Sequence, residues 1–386
     1  MSKKRVHDAK NEILQELTRY QTQDFSFTSG RILGSMCTQP HPIAKEAYMK
    51  FLETNLGDPQ LFPGTKTIEQ KVLSFLLDLT HAPTTAAGHI VGGGTESNIT
   101  SMWIAKVLTG KREIIIPESA HFSFQKISSL MDMKLISIPL TTKFVMDITK
   151  VKQAITPETA ALVGIAGSTE LGAIDPIPEL SDLCREEHLF FHVDAAFGGF
   201  VIPFLKRLGY DVVDFDFHLP GVSSISIDAH KMGCAAIPLG ALLLRKNMWL
   251  DAISVKSNCV STEWQAGILG TRSGGPIAAA YAIIKYLGKE GYTNLVKQCM
   301  ETTLYTEERI RQVGLEVMME PTMNVLGIRL SHPRTIVEKL TKLGWKVNNL
   351  DRISSIRVVI MPHVTKPIID KFIPDLQKVC QESGEL

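Results

Sequence analysis

Short apolar runs alternate with longer amphipathic stretches through the middle of this chain. The short runs are rich in β-branched residues, which is typical of buried strands. They predict strands at residues 113–116, 134–138, 160–165, 189–193, 223–227 and 240–244. Strands that alternate with helices build βαβ units, whose sheet is mainly parallel and covered by helices on both faces. The pattern therefore predicts an α/β fold with a mainly parallel sheet.

A long helical pattern follows this region. It begins near Pro276, whose fixed φ suits the first turn of a helix. Gly288 and Gly291 are expected to interrupt the helix before a second one that runs to about residue 313. We therefore place a domain boundary within this helical region.

The two ends of the chain carry different patterns. The N-terminus predicts a helix over residues 6–20 and then a segment rich in Gly, Ser, Thr and Pro. The C-terminus predicts a small α/β unit, with strands near 325–330 and 356–361 and helices near 335–343 and 365–379. The predicted organisation is an N-terminal arm (1–60), a large domain (61–290) and a small C-terminal domain (291–386).

Composition and charge exclude several classes of protein. Hydrophobic residues make up 44% of the chain and charged residues 21%, as in an ordinary globular protein. The 41 Lys and Arg balance 40 Asp and Glu, so the charge indicates neither a nucleic-acid partner nor a membrane partner. The N-terminus lacks the apolar core of a secretory signal, and the six cysteines lack metal or disulfide spacing. We therefore expect a cytoplasmic protein without a metal site.

The most informative segment is Ser226-Ile-Asp-Ala-His-Lys-Met-Gly233. Its lysine, Lys231, follows a predicted strand and precedes a second apolar run. An amine in a partly desolvated pocket can attack an aldehyde, which is how a Schiff-base lysine works. An ordinary loop lysine explains this segment equally well when it is considered alone.

A second segment, His192-Val-Asp-Ala-Ala-Phe-Gly-Gly199, places an acid at the end of another apolar strand. Ligands of open α/β sheets bind at the carboxyl ends of the strands. Asp194 can there pair with a protonated pyridine nitrogen, and the small Ala196 lets a flat ring lie close to the backbone. The alternative for a single Asp is a helix N-cap.

Two further segments provide a turn and an imidazole. Gly92-Gly-Gly-Thr-Glu-Ser-Asn98 precedes a helical stretch, whose N-terminal N–H groups can hold a phosphate. It matches neither a dinucleotide fingerprint nor a P-loop, so these two folds are disfavoured. In Ser119-Ala-His-Phe-Ser-Phe124, the imidazole of His121 can stack on a ring and move protons. Taken singly, the first is explained by a simple turn and the second by a buried core histidine.

Along the chain the four segments follow in the order glycine turn, His121, Asp194 and Lys231, and together they resemble the group II amino-acid decarboxylases, which are pyridoxal-phosphate enzymes. The resemblance extends from Gly34-Ser-Met-Cys-Thr38 and Glu53-Thr-Asn-Leu-Gly-Asp58 to Ile356-Arg-Val-Val-Ile-Met-Pro-His363. Within the group, the chain is most similar to the archaeal tyrosine/aspartate decarboxylases, which supply tyramine for methanofuran or β-alanine for coenzyme A. The resemblance implies the aspartate-aminotransferase-like fold (type I), a small amino acid as substrate and a homodimer with active sites at its interface.

The resemblance also implies roles for individual residues. Lys231 would form the Schiff base, Asp194 would pair with the pyridine nitrogen and His121 would stack on the ring. Arg357 would bind the substrate carboxylate, which suits a planar guanidinium, although an exposed strand arginine is the alternative. The other implied cofactor neighbours are Gly94, Thr95, Thr169, Ala196, His230 and, from the second subunit, Thr271.

The chain departs from the family pattern at two positions. Relatives commonly carry a proton-donating Tyr in the loop after the lysine, whereas this chain has Ser257-Asn-Cys-Val-Ser261 there. Cys259 falls where the Tyr is expected, and a thiol can also donate a proton. Ala229 stands where relatives often have Pro, for which we expect only a local backbone effect.

The substrate is harder to predict. Cys37, Thr38 and Asn55 lie in segments that resemble the distal side-chain pocket of relatives, and none of them is a cation. No Lys or Arg plainly awaits a second carboxylate, which favours tyrosine slightly over aspartate. Backbone N–H groups, His363 or a residue at the subunit interface are alternative partners for such a carboxylate.

Two rival functions use a similar site. A carbon–carbon lyase of the sphingosine-phosphate lyase type also needs a Schiff-base lysine and a ring-pairing acid. A catalytically lapsed homologue would bind the cofactor without turnover. Cys259, in place of the usual Tyr, would then reflect the loss of activity. Products formed from amino acids separate these alternatives from the decarboxylase.

Overall fold

The computed structural model describes residues 3–386, with side chains from residue 9 onward. The helices in this part are α1 (Lys3–Gln21), α2 (Pro42–Lys50), α3 (Pro63–Leu79), α4 (Gly94–Thr109), α5 (Ser123–Met131), α6 (Ile148–Ala154), α7 (Ile177–Glu186), α8 (Ile202–Arg207), α9 (Met248–Asp251), α10 (Gly274–Gln312), α11 (Pro333–Lys342) and α12 (Lys366–Gln381). The strands are β1 (Ala87–Val91), β2 (Glu113–Pro117), β3 (Lys134–Ile138), β4 (Thr159–Ile165), β5 (Phe190–Asp194), β6 (Val222–Ile227), β7 (Gly240–Leu244), β8 (Val255–Lys256), β9 (Trp264–Gln265), β10 (Val325–Arg329), β11 (Asn348–Leu350) and β12 (Ser355–Val359).

A seven-stranded sheet with the order β1-β7-β6-β5-β4-β2-β3 forms the centre of the molecule. Strands β3, β2, β4, β5 and β6 pair in parallel, and only β7 runs antiparallel to its two neighbours. Every residue of β4 to β7 is buried, because helices cover both faces. The predicted α/β fold with a mainly parallel sheet is confirmed.

The six strands predicted in this region are all observed, each within one residue at either end. The sequence pattern missed β1, which carries Gly88 and His89 in its five residues. Neither residue favours strands, so β1 depends on pairing with β7 rather than on its own propensity. Helices α2 and α3 also escaped prediction, although both begin with a proline in the first turn.

Helix α10 tests the predicted interruption at two glycines. Gly288 adopts φ 57° and ψ −171°, so the helix kinks there as expected. Gly291 remains helical, and its predicted interruption is wrong because a single glycine lowers helix stability without requiring a break. The helix is shared by two cores: Ile283 packs in the central core and Ile310 in the C-terminal one. A domain boundary at residue 290 falls inside this helix and stays a prediction.

A second, smaller sheet lies in the C-terminal part of the chain. Strands β10, β12 and β11 pair antiparallel in that order. Trp345 and Phe372 are fully buried beside this sheet, with ring centroids 5.2 Å apart. None of the helices in residues 3–386 is long and apolar enough to cross a bilayer.

Candidate active site

The four sequence segments meet in one cavity at the carboxyl ends of the parallel strands. The cavity has a volume of about 520 Å³. This is the edge at which open α/β sheets bind ligands. Eight of the predicted residues line it: Gly94, Thr95, His121, Thr169, Asp194, Ala196, His230 and Lys231.

Lys231 lies four residues beyond the end of β6, in a turn closed by its backbone N–H donating to Asp228 O at 3.2 Å. Its Nζ is 3.3 Å from Asp228 Oδ2. The Asp228 side chain is buried, and its other oxygen has no hydrogen-bond partner. Asp228 was not singled out from the sequence, although it belongs to the same segment. It holds the amine of Lys231 at the floor of the cavity.

Asp194 ends β5, and three hydrogen bonds fix its carboxylate. Asn98 Nδ2 donates to Oδ2 at 2.8 Å, whereas Ser226 Oγ and the backbone N–H of Ala196 donate to Oδ1 at 3.1 Å each. Burial by itself would raise the pKa of Asp194. The charge of Lys231 and the hydrogen bond from Asn98 outweigh that effect, so the pKa lies below its ordinary value. The carboxylate is therefore ionised at neutral pH.

A buried polar network supports Asp194 from behind. His192 Nε2 lies 2.9 Å from Asn98 Oδ1, and Nδ1 lies 2.8 Å from Ser224 Oγ. Since Asn98 uses its amide nitrogen toward the carboxylate, its oxygen accepts a proton from Nε2 of His192. Burial lowers the pKa of His192 to about 4, so the ring is neutral. Sequence reasoning missed this network.

The N-terminus of α4 forms another wall of the cavity. Gly93 precedes the helix with φ 151°, and Gly94 and Thr95 begin it. A Cβ on Gly94 would lie 3.0 Å from the Ala196 Cβ, a contact tight enough that one of the two would have to shift, so glycine suits this close approach. The first N–H groups of a helix have no partner inside it and attract anions. This wall is therefore suited to a phosphate.

Two predicted histidines occupy different positions in the cavity. Nδ1 of His121 accepts the N–H of Ser123 at 3.2 Å, and its ring lies 4.0 Å from the Phe122 ring. Burial lowers the pKa of His121, which favours a neutral imidazole. Nδ1 of His230 lies 2.7 Å from Leu239 O, so this nitrogen faces the backbone rather than the end of α4.

Arg357 on β12 lies beneath the cavity rather than in its lining. Its Nη1 donates to Thr169 O at 2.6 Å, and its Nη2 donates to Gly34 O at 2.6 Å and to Asn348 Oδ1 at 3.1 Å. Its Nε has no hydrogen-bond partner. Burial lowers the pKa of Arg357 to about 10, and no carboxylate of the described chain forms an ion pair with it. It is a buried cation with unused capacity to bind an anion.

None of the three residues predicted for the distal substrate pocket lines the cavity. Cys37 lies close enough to Lys231 for their charges to interact, and burial raises the pKa of its thiol. Thr38 Oγ1 lies 2.8 Å from His363 Nδ1. Asn55 Oδ1 accepts the N–H of Gly57 at 3.0 Å, so its side chain is used in a local turn.

Two further predicted residues also lie outside the cavity lining of this chain. Cys259 is exposed in the turn between β8 and β9. Thr271 lies beside Gly57, near the start of α10. Between them, Ile268 and Leu269 do reach the cavity, and each is about half exposed. These two apolar residues were not identified from the sequence.

Comparison with known proteins connects this geometry to a family. A family model described as the pyridoxal-dependent decarboxylase conserved domain matches residues 41–330. A probable L-tyrosine/L-aspartate decarboxylase of Methanosphaera stadtmanae is 41% identical over 97% of this chain and 98% of its own. An L-aspartate/L-glutamate decarboxylase of Pyrococcus horikoshii is 42% identical over 97% of this chain and 98% of its own.

Solved structures share the whole fold. A sphingosine-1-phosphate lyase of Burkholderia pseudomallei superposes with a TM-score of 0.88 and 26% identity, over 99% of this chain and 91% of that one. A glutamate decarboxylase of Lactobacillus brevis superposes with a TM-score of 0.87 and 21% identity, over 96% of this chain and 92% of that one.

Proposed function

Because the chain belongs to the pyridoxal-dependent decarboxylase family, we propose that its cavity converts L-tyrosine to tyramine, L-aspartate to β-alanine, or both. The chain is a carboxy-lyase that uses pyridoxal phosphate to remove CO₂ from an amino acid. One observation carries the assignment of its active site. A single cavity brings together the amine of Lys231, the ionised Asp194 and the N-terminus of α4.

The described side chains fit the cofactor. A carboxylate offers about four lone-pair positions, and three donors occupy those of Asp194. One position remains for a protonated pyridine nitrogen. Gly94 and Ala196 keep large side chains out of this part of the cavity, and His121 provides an aromatic wall. The N-terminus of α4 would hold the phosphate.

The residues of the chain prepare the reaction in distinct ways. When bound, pyridoxal phosphate supplies an electron sink for the pair left on the α-carbon by departing CO₂. Asp194 keeps a proton on the ring nitrogen, and Asp228 positions the Lys231 amine. Ile268 and Leu269 reduce the access of water, which disfavours the well-solvated carboxylate relative to a delocalised transition state.

The charges near the cavity favour tyrosine. Among the described residues that line it, Lys231 is the one Lys or Arg. His363 donates from Nε2 to Ile32 O at 2.7 Å, and its Nδ1 lies 2.8 Å from Thr38 Oγ1. Burial also lowers the pKa of His363. The side-chain carboxylate of aspartate would therefore have no cation near it other than Arg357, which is assigned to the α-carboxylate.

The direct test is CO₂ release and amine formation by the purified, cofactor-loaded protein with tyrosine, aspartate and glutamate in parallel. Tyramine or β-alanine formed in equal amount with CO₂ supports the proposal and selects the substrate. Turnover of glutamate alone would contradict it. Cofactor binding without CO₂ from any of the three would instead favour a lapsed homologue.

The lyase remains the second candidate because the Burkholderia structure covers nearly the whole chain at 26% identity. The Burkholderia protein is named a sphingosine-1-phosphate lyase. Carbon–carbon cleavage of a phosphorylated amino alcohol releases no CO₂. Assaying phosphorylated sphingoid bases beside the amino acids separates the two functions. Relatives at 42% to 44% identity that are named aspartate or aspartate/glutamate decarboxylases, and one at 41% named a tyrosine/aspartate decarboxylase, favour the first.

Arg357 provides a prediction about substrate binding. We expect Arg357→Gln to raise KM for the amino acid roughly 10- to 100-fold, because a charge-assisted hydrogen bond to the α-carboxylate is lost. Steady-state kinetics measure the change. Arg329→Gln is the matched control, since this arginine lies on the adjacent strand β10, is half exposed and pairs with Glu316. An equal KM effect in both variants would contradict the role of Arg357.

Cys259 is proposed as the proton donor to the α-carbon. It lies outside the cavity of its own chain, so it would act by closure of its loop or in the site of a second subunit. We expect Cys259→Ala to lower kcat about 100-fold and Cys259→Tyr to retain activity. Asn258→Ala, an exposed position in the same turn, should leave kcat unchanged. Full activity of Cys259→Ala would remove the thiol from the mechanism.

We also propose that the protein is a cytoplasmic homodimer that supplies tyramine or β-alanine for methanofuran or coenzyme A synthesis. Helix α1 supports the dimer, because its apolar residues Ile13, Leu14, Leu17 and Tyr20 share one face and are each more than half exposed. All six cysteines lie in the described part as free thiols, which fits a reducing compartment. Sedimentation as a monomer at micromolar concentration would contradict the dimer.

A further inference from the structure

We propose that His81, Asp216 and His218 form a binding site for one divalent transition-metal ion of the zinc class, at the edge of the sheet opposite the active site. His81 follows α3, and the other two residues precede β6. Lys231 follows the far end of the same strand. The site therefore lies outside the catalytic cavity and joins two segments that are far apart in the sequence.

The three side chains converge on one point. Nδ1 of His81 is 2.9 Å from Asp216 Oδ2, and Nδ1 of His218 is 3.5 Å from Asp216 Oδ1. The ligand atoms of the three residues all lie within 4.8 Å of one another. Tetrahedral zinc with bonds of about 2.0–2.1 Å separates its ligands by about 3.4 Å. Closing the widest separation to this spacing takes a contraction of up to about 1.4 Å.

The exposed histidines can make this adjustment, whereas the aspartate is held in place. The side chains of His81 and His218 are 51% and 58% exposed, but that of Asp216 is only 5% exposed. Asp216 Oδ1 accepts the N–H of His218 at 3.0 Å. Phe217 next to it donates its N–H to Thr80 O at 3.2 Å, which ties this loop to the end of α3.

His81 has an unusual backbone conformation, and its ring stacks on the ring of His218. His81 adopts φ 50°, a left-handed conformation that few side chains other than Asn, Asp and His accept readily. The rings of His81 and His218 stack with centroids 3.8 Å apart and planes 21° apart. The lone pair of an imidazole nitrogen lies in its ring plane, so the two rings must turn out of this stack for both Nδ1 atoms to bind one ion.

The chemistry of these donors selects the ion. Two imidazole nitrogens and one carboxylate oxygen suit zinc and its neighbours, with water in the fourth position, rather than magnesium or calcium. Each neutral imidazole moves its proton from Nδ1 to the solvent-exposed Nε2 when the metal binds. The guanidinium of Arg245 lies near Asp216 and donates to Phe217 O at 3.0 Å, so it competes with the ion for the carboxylate.

The test uses the complete, cofactor-loaded protein after treatment with a chelator. Zn²⁺ is titrated by calorimetry, and bound metal is counted after dialysis. The wild type is expected to bind one Zn²⁺ per chain and to unfold about 3 °C higher when saturated. His81→Gln and His218→Gln should each weaken binding about 10- to 100-fold and remove the thermal shift.

His188→Gln is the matched control, because His188 is also exposed and left-handed, with φ 53°, but lies outside the cluster. It should bind zinc as the wild type does. No binding by the wild type, or equal binding by all variants, overturns the site. Co²⁺ whose spectrum shows sulfur ligation and persists in both cluster variants would place the ion on a cysteine and also overturn it.

Discussion

Replacement of Lys231 by alanine is expected to lower kcat about 10⁴-fold or more and to abolish the visible absorbance of the lysine-linked cofactor. Lys231 is the one Lys or Arg among the described residues lining the cavity, and its Nζ lies 3.3 Å from Asp228. No nearby amine can therefore replace it. Single-turnover assays and absorbance spectra of the purified variant measure both effects.

Lys231→Arg separates the covalent role from a purely electrostatic one. The guanidinium keeps a positive charge that can pair with Asp228, but it cannot form a Schiff base with the cofactor. We expect this variant to be as inactive as Lys231→Ala, while a small external amine restores part of the activity of the alanine variant. Substantial activity in Lys231→Arg would show that charge alone is needed at this position.

The sequence predicted those parts of the fold that depend on local patterns. The buried strands β4 and β7 are nearly continuous apolar runs, and β5 and β6 each hold three apolar residues, so their positions follow from the local pattern. Strand β1 does not, because Gly88 and His89 form a strand only when β7 is alongside. The edge of the sheet therefore required the tertiary structure.

Some residues of the candidate site could likewise be predicted from the local sequence, whereas others could not. Lys231 and Asp194 were found because each follows an apolar strand, at the edge where ligands bind. Arg357 could be identified only through a resemblance, since its bond to Gly34 O spans 323 residues. Its unpaired Nε and its carbonyl partners are products of packing and leave no trace in the local sequence.

The network behind Asp194 did leave a signal. His192 and Asp194 alternate along β5, and Ser224 and Ser226 alternate along β6. Alternate residues of a strand point to the same face. Polar residues at that spacing in otherwise apolar strands predict a buried hydrogen-bonded cluster, because unpaired polar groups are costly inside a protein. The partner on α4, Asn98, still required the structure.

The second large effect is expected at Asp194. Asp194→Asn keeps the shape of the side chain and removes its charge, so the ring nitrogen loses the anion that holds its proton. We expect kcat to fall roughly 10²- to 10³-fold while the fold is retained. Ser226→Ala removes only one of the three hydrogen bonds to the carboxylate and should cost less than about tenfold. Steady-state kinetics and the absorbance of the bound cofactor measure this graded series.

Asp175→Asn controls for the loss of a buried carboxylate. Asp175 is as deeply buried as Asp194, but it accepts only the backbone N–H groups of Met146 and Ile165, each at 2.8 Å. Its replacement should lower stability, because an amide cannot accept from both donors, yet leave kcat within about threefold. Equal losses of kcat in Asp175→Asn and Asp194→Asn would mean that burial, rather than pairing with the ring, explains the effect. A selective loss at Asp194 would place its charge in the chemistry.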